Sequence, residues 1–443
     1  MRLTKWKRFA IPVFAGALLQ QLYSTVDMLI VGRFTGEAVL SAVGTTGSFV
    51  FLLLAVALGI SAGNGVVVAQ RYGAGDEEGV HADAATGLLL MTLLGGIATL
   101  LGLAVSRVAC VYFIAVPDGI LDDTLLYFRI YALGLLFQYG YNAVSSILRA
   151  VGDSASTLYF LMVSSVLNIL LDLLFVAVFR WGVAGAAVAT GIAQGVSLAV
   201  AYLYMHRKYP VFRFRLGDFR WDGARVRHTV RIGLPITLQL TVVSVGLTFI
   251  QRAVNGFGQA MTASFTVGHR IELYLHLPCH AFQTTLATYT GQNYGAGKIE
   301  RVRTCAHQTL GISFGLTLLI SAVVWGFAPD IVAMFGLGEV ASSFCLRHLH
   351  AVALINIVLS LYPLFGVFQG TGHSGVPMVV AIGALGMRVL ATYLFRYSSF
   401  LGVSVIWWNG IFGFGTGFLI SWTYYLFGCW WDKSELHAGK QLT

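Results

Sequence analysis

Apolar stretches of twenty or so residues follow one another along almost the whole chain, separated by short polar connections. About 20 apolar residues are enough for one α-helix to cross the hydrocarbon core of a bilayer. On this pattern the sequence predicts twelve spans, at 10–32, 40–69, 84–105, 124–148, 157–179, 183–205, 232–254, 260–289, 307–328, 345–368, 376–395 and 402–428. The second and eighth are long and punctuated by Gly or Pro, so they extend beyond the apolar core. The short alternating segments of a transmembrane β-barrel are not seen. The expected fold class is an all-α polytopic membrane protein.

Composition agrees: 57% of the 443 residues are hydrophobic, only 11% are charged, and mean hydropathy is +0.76. Soluble domains carry about a quarter charged residues. Fifty-one glycines against eight prolines suit closely packed membrane helices. A formal charge of +9 raises the question of nucleic acid. Most of the basic residues, however, lie in the termini and alternate connections, the signature of orientation across a membrane. The N-terminus holds Arg2, Lys5, Lys7 and Arg8, and the connection 206–231 holds Arg207, Lys208, Arg213, Arg215, Arg220, Arg225, Arg227 and Arg231. Both termini and this connection are therefore expected in the cytoplasm, with no cleavable signal peptide and an uncleaved first helix. Cys110, Cys279, Cys305, Cys345 and Cys429 are scattered and read as reduced packing residues. Trp407-Trp408 and Trp430-Trp431 read as interfacial anchors.

The chain also repeats. Gln70-Arg-Tyr-Gly-Ala-Gly75 matches Gln292-Asn-Tyr-Gly-Ala-Gly297, and Arg149-Ala-Val-Gly-Asp-Ser154 matches Gln369-Gly-Thr-Gly-His-Ser374. The expected domains are a six-helix bundle over 1–205, the basic connection 206–231, and a second six-helix bundle over 232–443. Six spans per repeat leave both bundles in one orientation, related by a pseudo-twofold axis along the membrane normal, as in transporters with parallel repeats. The Gln70 and Gln292 motifs lack the Lys-Ser/Thr of a phosphate loop, which excludes nucleotide binding there. No zinc spacing or His-Glu-x-x-His motif suggests an enzyme.

Polar residues inside the spans carry the functional signal, because intramembrane acids persist mainly at ion, proton or partner sites. Asn168 and Asp172 lie four apart on one face of the fifth span, with Ser165 a turn earlier. Gln20, Tyr23, Ser24 and Asp27 form a polar stripe on the first. Glu272 is the third deep acid, two residues from Arg270 and so on a different face. It reads as a cationic-substrate contact or one half of an ion pair with Arg270, Arg129 or Arg388.

Taken in order, these pieces resemble the multidrug and toxic compound extrusion (MATE) transporters over nearly the whole chain. The pieces are Pro12 with Gln20 and Tyr23 ahead of Asp27, Val31-Gly32, the Gln70 motif, Asn168 to Asp172, Gly185-Ala186-Ala187 with Thr190, and the Gln292 motif. The resemblance implies that Asp27, Asn168, Asp172 and Thr190 converge in the N-terminal bundle as a Na⁺ or H⁺ coupling site. The second half does not repeat it: Asn168 aligns with Arg388 and Asp172 with Thr392.

The expected function is a secondary antiporter exporting organic, amphipathic cations in exchange for H⁺ or Na⁺. It would work as a monomer in the cell membrane, with no cofactor beyond the coupling ion and no nucleic acid or nucleotide partner. Two alternatives stand beside it. A lipid-linked saccharide flippase would gather Arg129, Arg270, Arg347 and Arg388 around pyrophosphate. A membrane-embedded acyltransferase would use His269 and His276, seven apart on one face of the eighth span.

Overall fold

The computed structural model describes residues 3–35, 37–113, 116, 119, 121–399 and 401–428; Cys429 and Trp430-Trp431 lie outside them. Among the described residues all regular structure is helical. The chain forms two compact units, residues 3–237 and the residues from 238 onward.

The first unit holds α1 (Leu3–Thr35), α2 (Glu37–Ala74), α3 (Glu77–Val108), α4 (Leu121–Ala150), α5 (Ser154–Asp172), α6 (Gly182–Lys208) and the start of α7 (Gly223–Asn255). The helix α4 packs on α2, α3 and α6, while α1 packs on α5. The core of this unit runs through Met91, Leu135, Tyr139, Ile147 and Met205. Gly63 of α2 meets Gly233 of α7 so closely that a Cβ has no room. The seventh span was expected from 232, but its helix starts at Gly223. Its first turns are basic and amphipathic, and hydropathy alone does not register them.

The second unit continues with α8 (Gln259–Gly295), α9 (Ile299–Gly326), the short α10 (Ala328–Ala333), α11 (Glu339–Leu359), α12 (Leu364–Gly370), α13 (Gly375–Phe395) and α14 (Val405–Phe427). Here α8 packs on α9, α11 and α12, and α13 lies along α14. The tenth span, expected as one helix over 345–368, is two helices broken at Ser360 to Pro363. Proline lacks the N–H that would continue the ladder.

Ten of the described helices are both long and apolar enough to cross a membrane. The helices α4 and α8 have the length but more polar side chains, which protein neighbours accommodate better than lipid. The repeat is visible in the backbone. Gly75 and Gly297 both adopt positive φ, of 76° and 71°. Each closes its helix the same way, Asp76 N–H bonding Arg71 O (3.1 Å) and Lys298 N–H bonding Asn293 O (2.8 Å). This is the Schellman end, in which glycine takes the left-handed position without a Cβ penalty. Gly152 and Gly372 (97° and 90°) and Gly182 and Gly402 (59° and 50°) are likewise matched in positive φ.

Candidate functional site

In the first unit α5 ends at Asp172, and the backbone continues as a π-helical turn, Leu173–Val178. Such turns recur at functional sites because the extra residue redirects side chains. Gly185 lets the start of α6 close against that turn: a Cβ there would stand 3.1 Å from the Phe175 carbonyl carbon. This approach brings Thr190 to the face of α5 that carries Asn168 and Asp172.

Asn168 and Asp172 are almost wholly buried, at 1% and 0% exposure. The Asn168 amide satisfies its neighbours when its nitrogen donates to Asp172 Oδ2 (2.8 Å) and to the Tyr23 hydroxyl (3.1 Å). Its oxygen then accepts the Thr190 backbone N–H (3.1 Å). The Thr190 hydroxyl bonds back to Ala186 O at 3.0 Å. From α1, Asp27 reaches the Asp172 carboxyl within hydrogen-bonding contact. One oxygen of each acid, Asp27 Oδ1 and Asp172 Oδ1, is buried without a hydrogen-bond partner, as is Ser165 Oγ. Two carboxyl groups in contact away from water need a proton or a cation between them.

All four coupling residues expected from the sequence, with Tyr23, therefore meet in one place. Gln20 and Ser24, expected to support them, are exposed instead. Ser24 is turned about 100° from Tyr23, and Gln20 lies two turns, about 10 Å, before Asp27 along the helix, so neither joins the cluster. The side chains of Val31 and Gly32 lie outside the described residues. Sequence reading missed Tyr127 and Tyr131 of α4, which lie close enough to Asp27 to interact electrostatically. Their spacing of four, which puts both on one face of the helix, was the available signal.

In the second unit Glu272 is buried and takes His269 Nδ1 at 3.0 Å and His276 Nε2 at 3.9 Å. Arg388 faces it from α13, donating to Asn409 Oδ1 at 2.8 Å. Of the three arginines offered as partners for Glu272, Arg388 is the one that faces it; Arg270 is exposed, and the residues one turn away on the same face, three and four positions removed, are histidines. Glu272, His276, His348, Asn356, Arg388 and Trp407 line a small cavity with room for about one water molecule. Both His348 ring nitrogens, Asn356 Oδ1 and Trp407 Nε1 are buried without hydrogen-bond partners there. Trp407, expected as an interfacial anchor, is thus a core residue of this unit. Cys110, Cys279, Cys305 and Cys345 are free and buried.

The MatE family model matches residues 12–174 and 235–394. The chain is 28% identical to the probable multidrug resistance protein YpnP of Bacillus subtilis (strain 168), over 95% of this chain and 94% of that one. It is 21% identical to the multidrug export protein MepA of Staphylococcus haemolyticus (strain JCSC1435), over 90% of this chain and 88% of that one. Among solved structures, a MATE crystal structure in complex with MaL6 superposes with a TM-score of 0.89 at 24% identity, covering 99% of this chain and 97% of its own. A MOP superfamily transporter from Pyrococcus furiosus gives 0.89 at 25% identity, over 98% and 96%. Residues 12–174 and 235–394 make up well over half of the chain, and both repeats are included. This multi-pass membrane protein is therefore a transporter, and it belongs to the MatE family of multidrug and toxic compound extrusion proteins.

Proposed function

We propose that the chain is a secondary active antiporter that exports amphipathic organic cations by alternating access, driven by inward movement of a monovalent cation. The multidrug resistance and export relatives support the substrate class. The observation that carries the coupling site is the pair of buried, unpartnered oxygens on two touching carboxyls, Asp27 and Asp172. The protein sits in the cell membrane as a monomer with both termini inside.

Of the two ions, the geometry favours the proton. A sodium ion needs several oxygen ligands around it, whereas the two carboxyls here already touch each other. A proton needs only the two carboxyls. Binding of the proton on the outward-open form favours substrate release, and its loss inside resets the site. This drives transport only through different affinities of the two states. Exchange of one monovalent cation for another moves no net charge. The roughly 2.3 kcal/mol per charge that 100 mV supplies is then unused, and the concentration gradient does the work.

Glu272 belongs to a structural ion network rather than to the substrate path, since histidines and Arg388 already surround it and the cavity beside it admits about one water molecule. The arginines that a flippase would gather are engaged separately, Arg129 with Ser106 Oγ at 3.1 Å and Arg388 with Asn409.

The test is ethidium efflux from vesicles under imposed pH or Na⁺ gradients, for wild type, Asp27→Asn and Asp172→Asn. Efflux that follows the pH gradient and collapses in both folded variants is the expected result. Unchanged efflux in both would overturn the coupling site, and dependence on Na⁺ alone would overturn the proton.

A further inference from the structure

The basic connection between α6 and α7 is usually read as a topology signal alone, yet its fold is specific. Side chains of 209–222 divide sharply between two directions. Phe212 and Phe214 are buried in the core of the first unit, with Tyr209, Val211 and Phe219 packed against that core. The residues between and beyond them, Arg213, Arg215, Leu216, Arg220 and Trp221, are exposed. Leu216 is 94% exposed and Trp221 57%. A segment facing only water has no reason to spend five aromatic and aliphatic side chains inward while leaving a leucine and a tryptophan outside among arginines.

The segment is also held in place. His81 of α3 contacts Val211 O through Nδ1 at 2.7 Å and Asp218 through Nε2 at 3.2 Å. Asp218 accepts the Arg215 backbone N–H at 2.6 Å, and that bond holds its carboxyl below the usual range, so it stays charged. Asp222 caps the start of α7 through the Ala224 and Arg225 N–H groups and pairs with the Arg225 side chain at 3.1 Å. Arg225 continues to the buried Asp83 at 2.7 Å. Both acids of the segment are thus committed to His81, to backbone or to Arg225. Among the described residues Arg213, Arg215 and Arg220 have no side-chain ion pair within 4.0 Å.

We propose that this face is a binding site for anionic phospholipid headgroups of the adjacent leaflet. Arg213, Arg215 and Arg220 take the phosphate and its net charge, while Leu216 and Trp221 enter the interfacial zone. Tryptophan prefers that depth, and arginine matches phosphate with two parallel donors. Each basic residue near an anionic surface contributes about 1 kcal/mol, and the contribution fades over a Debye length. Because the segment is fixed to α3, the site is preformed.

The purified full-length protein, in detergent, would be titrated with phosphatidylglycerol and with phosphatidylcholine, and bound lipid followed by native mass spectrometry. The expected result is a preference for phosphatidylglycerol of about tenfold or more, falling to within about twofold in the Arg213→Gln/Arg215→Gln/Arg220→Gln protein and at high salt. Brominated phosphatidylglycerol should also quench wild-type tryptophan fluorescence more than that of Trp221→Phe, a measurement that needs no charge variant. Equal affinity for the two lipids, an undiminished preference in the triple variant, or equal quenching with and without Trp221 would each overturn the proposal. So would full displacement of the lipid by glycerol phosphate, which would make the site one for free phosphate.

Discussion

Asn168 places its amide nitrogen 2.8 Å from the Asp172 carboxylate, one turn along the same helix, and ties that acid to Tyr23 of α1 and Thr190 of α6. One side chain thereby joins three helices around two acids.

Removing it should therefore cost transport before it costs folding. In Asn168→Ala, Asp172 Oδ2 and the Tyr23 hydroxyl lose a common partner, worth about 1.5 kcal/mol for a charged acceptor, or roughly tenfold in rate. Efflux in vesicles should drop by that factor while the unfolding temperature in detergent changes little. Efflux within twofold of wild type would mean that Asp172 is oriented by other groups.

Two glycines of α6 should respond oppositely to the same change. At Gly185 a new Cβ meets Phe175, and Gly185→Ala should destabilise by about 1–3 kcal/mol and weaken efflux, because α6 must move off the turn after Asp172. At Gly191 nothing lies within 4 Å, and Gly191→Ala should be neutral or stabilising by up to about 1 kcal/mol. Thermal unfolding of the two variants side by side is the check. Equal responses would remove the close-approach argument.

Asp153, in the turn between α4 and α5, gives a pH-dependent stability. Burial alone would raise its pKa. Hydrogen bonds from Lys208 (2.9 Å), Tyr209 (2.8 Å) and the Ser156 backbone N–H (3.1 Å) outweigh that and hold it below the usual carboxylate range. A depressed folded pKa means that the stabilisation is present above the unfolded value, about 3.9, and is lost as pH falls through the folded value. Asp153→Asn should therefore lower stability by about 2 kcal/mol at pH 7, and the difference from wild type should shrink below about pH 4. Melting curves between pH 3 and pH 7 would test it; a difference that does not change with pH would contradict the charge assignment.

Glu272 and Arg388 should behave as a compensated pair. Glu272→Gln leaves Arg388 without its nearest anion, and Arg388→Met leaves Glu272 with only histidines, so each should destabilise by about 3 kcal/mol. The double variant should lose clearly less than the sum. Strict additivity in unfolding experiments would show that the two charges do not interact.

The sequence by itself determined much of this protein. Hydropathy placed the twelve helices, and the repeated glycine motifs announced two halves whose matched glycines both take positive φ. The spacing of Asn168 and Asp172, read with the family resemblance, named the residues that meet Asp27 and Thr190. These were legible because a polar side chain in an apolar span is costly and stands out against its neighbours.

Packing direction was not legible in the same way. In a bilayer the lipid-facing and protein-facing sides of a helix are both apolar, so periodicity does not say which side faces the core. Only the tertiary structure could turn Trp407 inward toward Glu272, give Glu272 two histidines in place of Arg270, and leave Gln20 and Ser24 outside the cluster they were expected to join. It likewise set Tyr127 and Tyr131 beside Asp27, broke the tenth span at Pro363, and sorted the basic connection into buried phenylalanines and exposed arginines. Each of these depends on which helix lies next to which, a relation among residues far apart in the chain. Local pattern carries the cost of a buried polar group, whereas the identity of its partner is decided by three-dimensional packing.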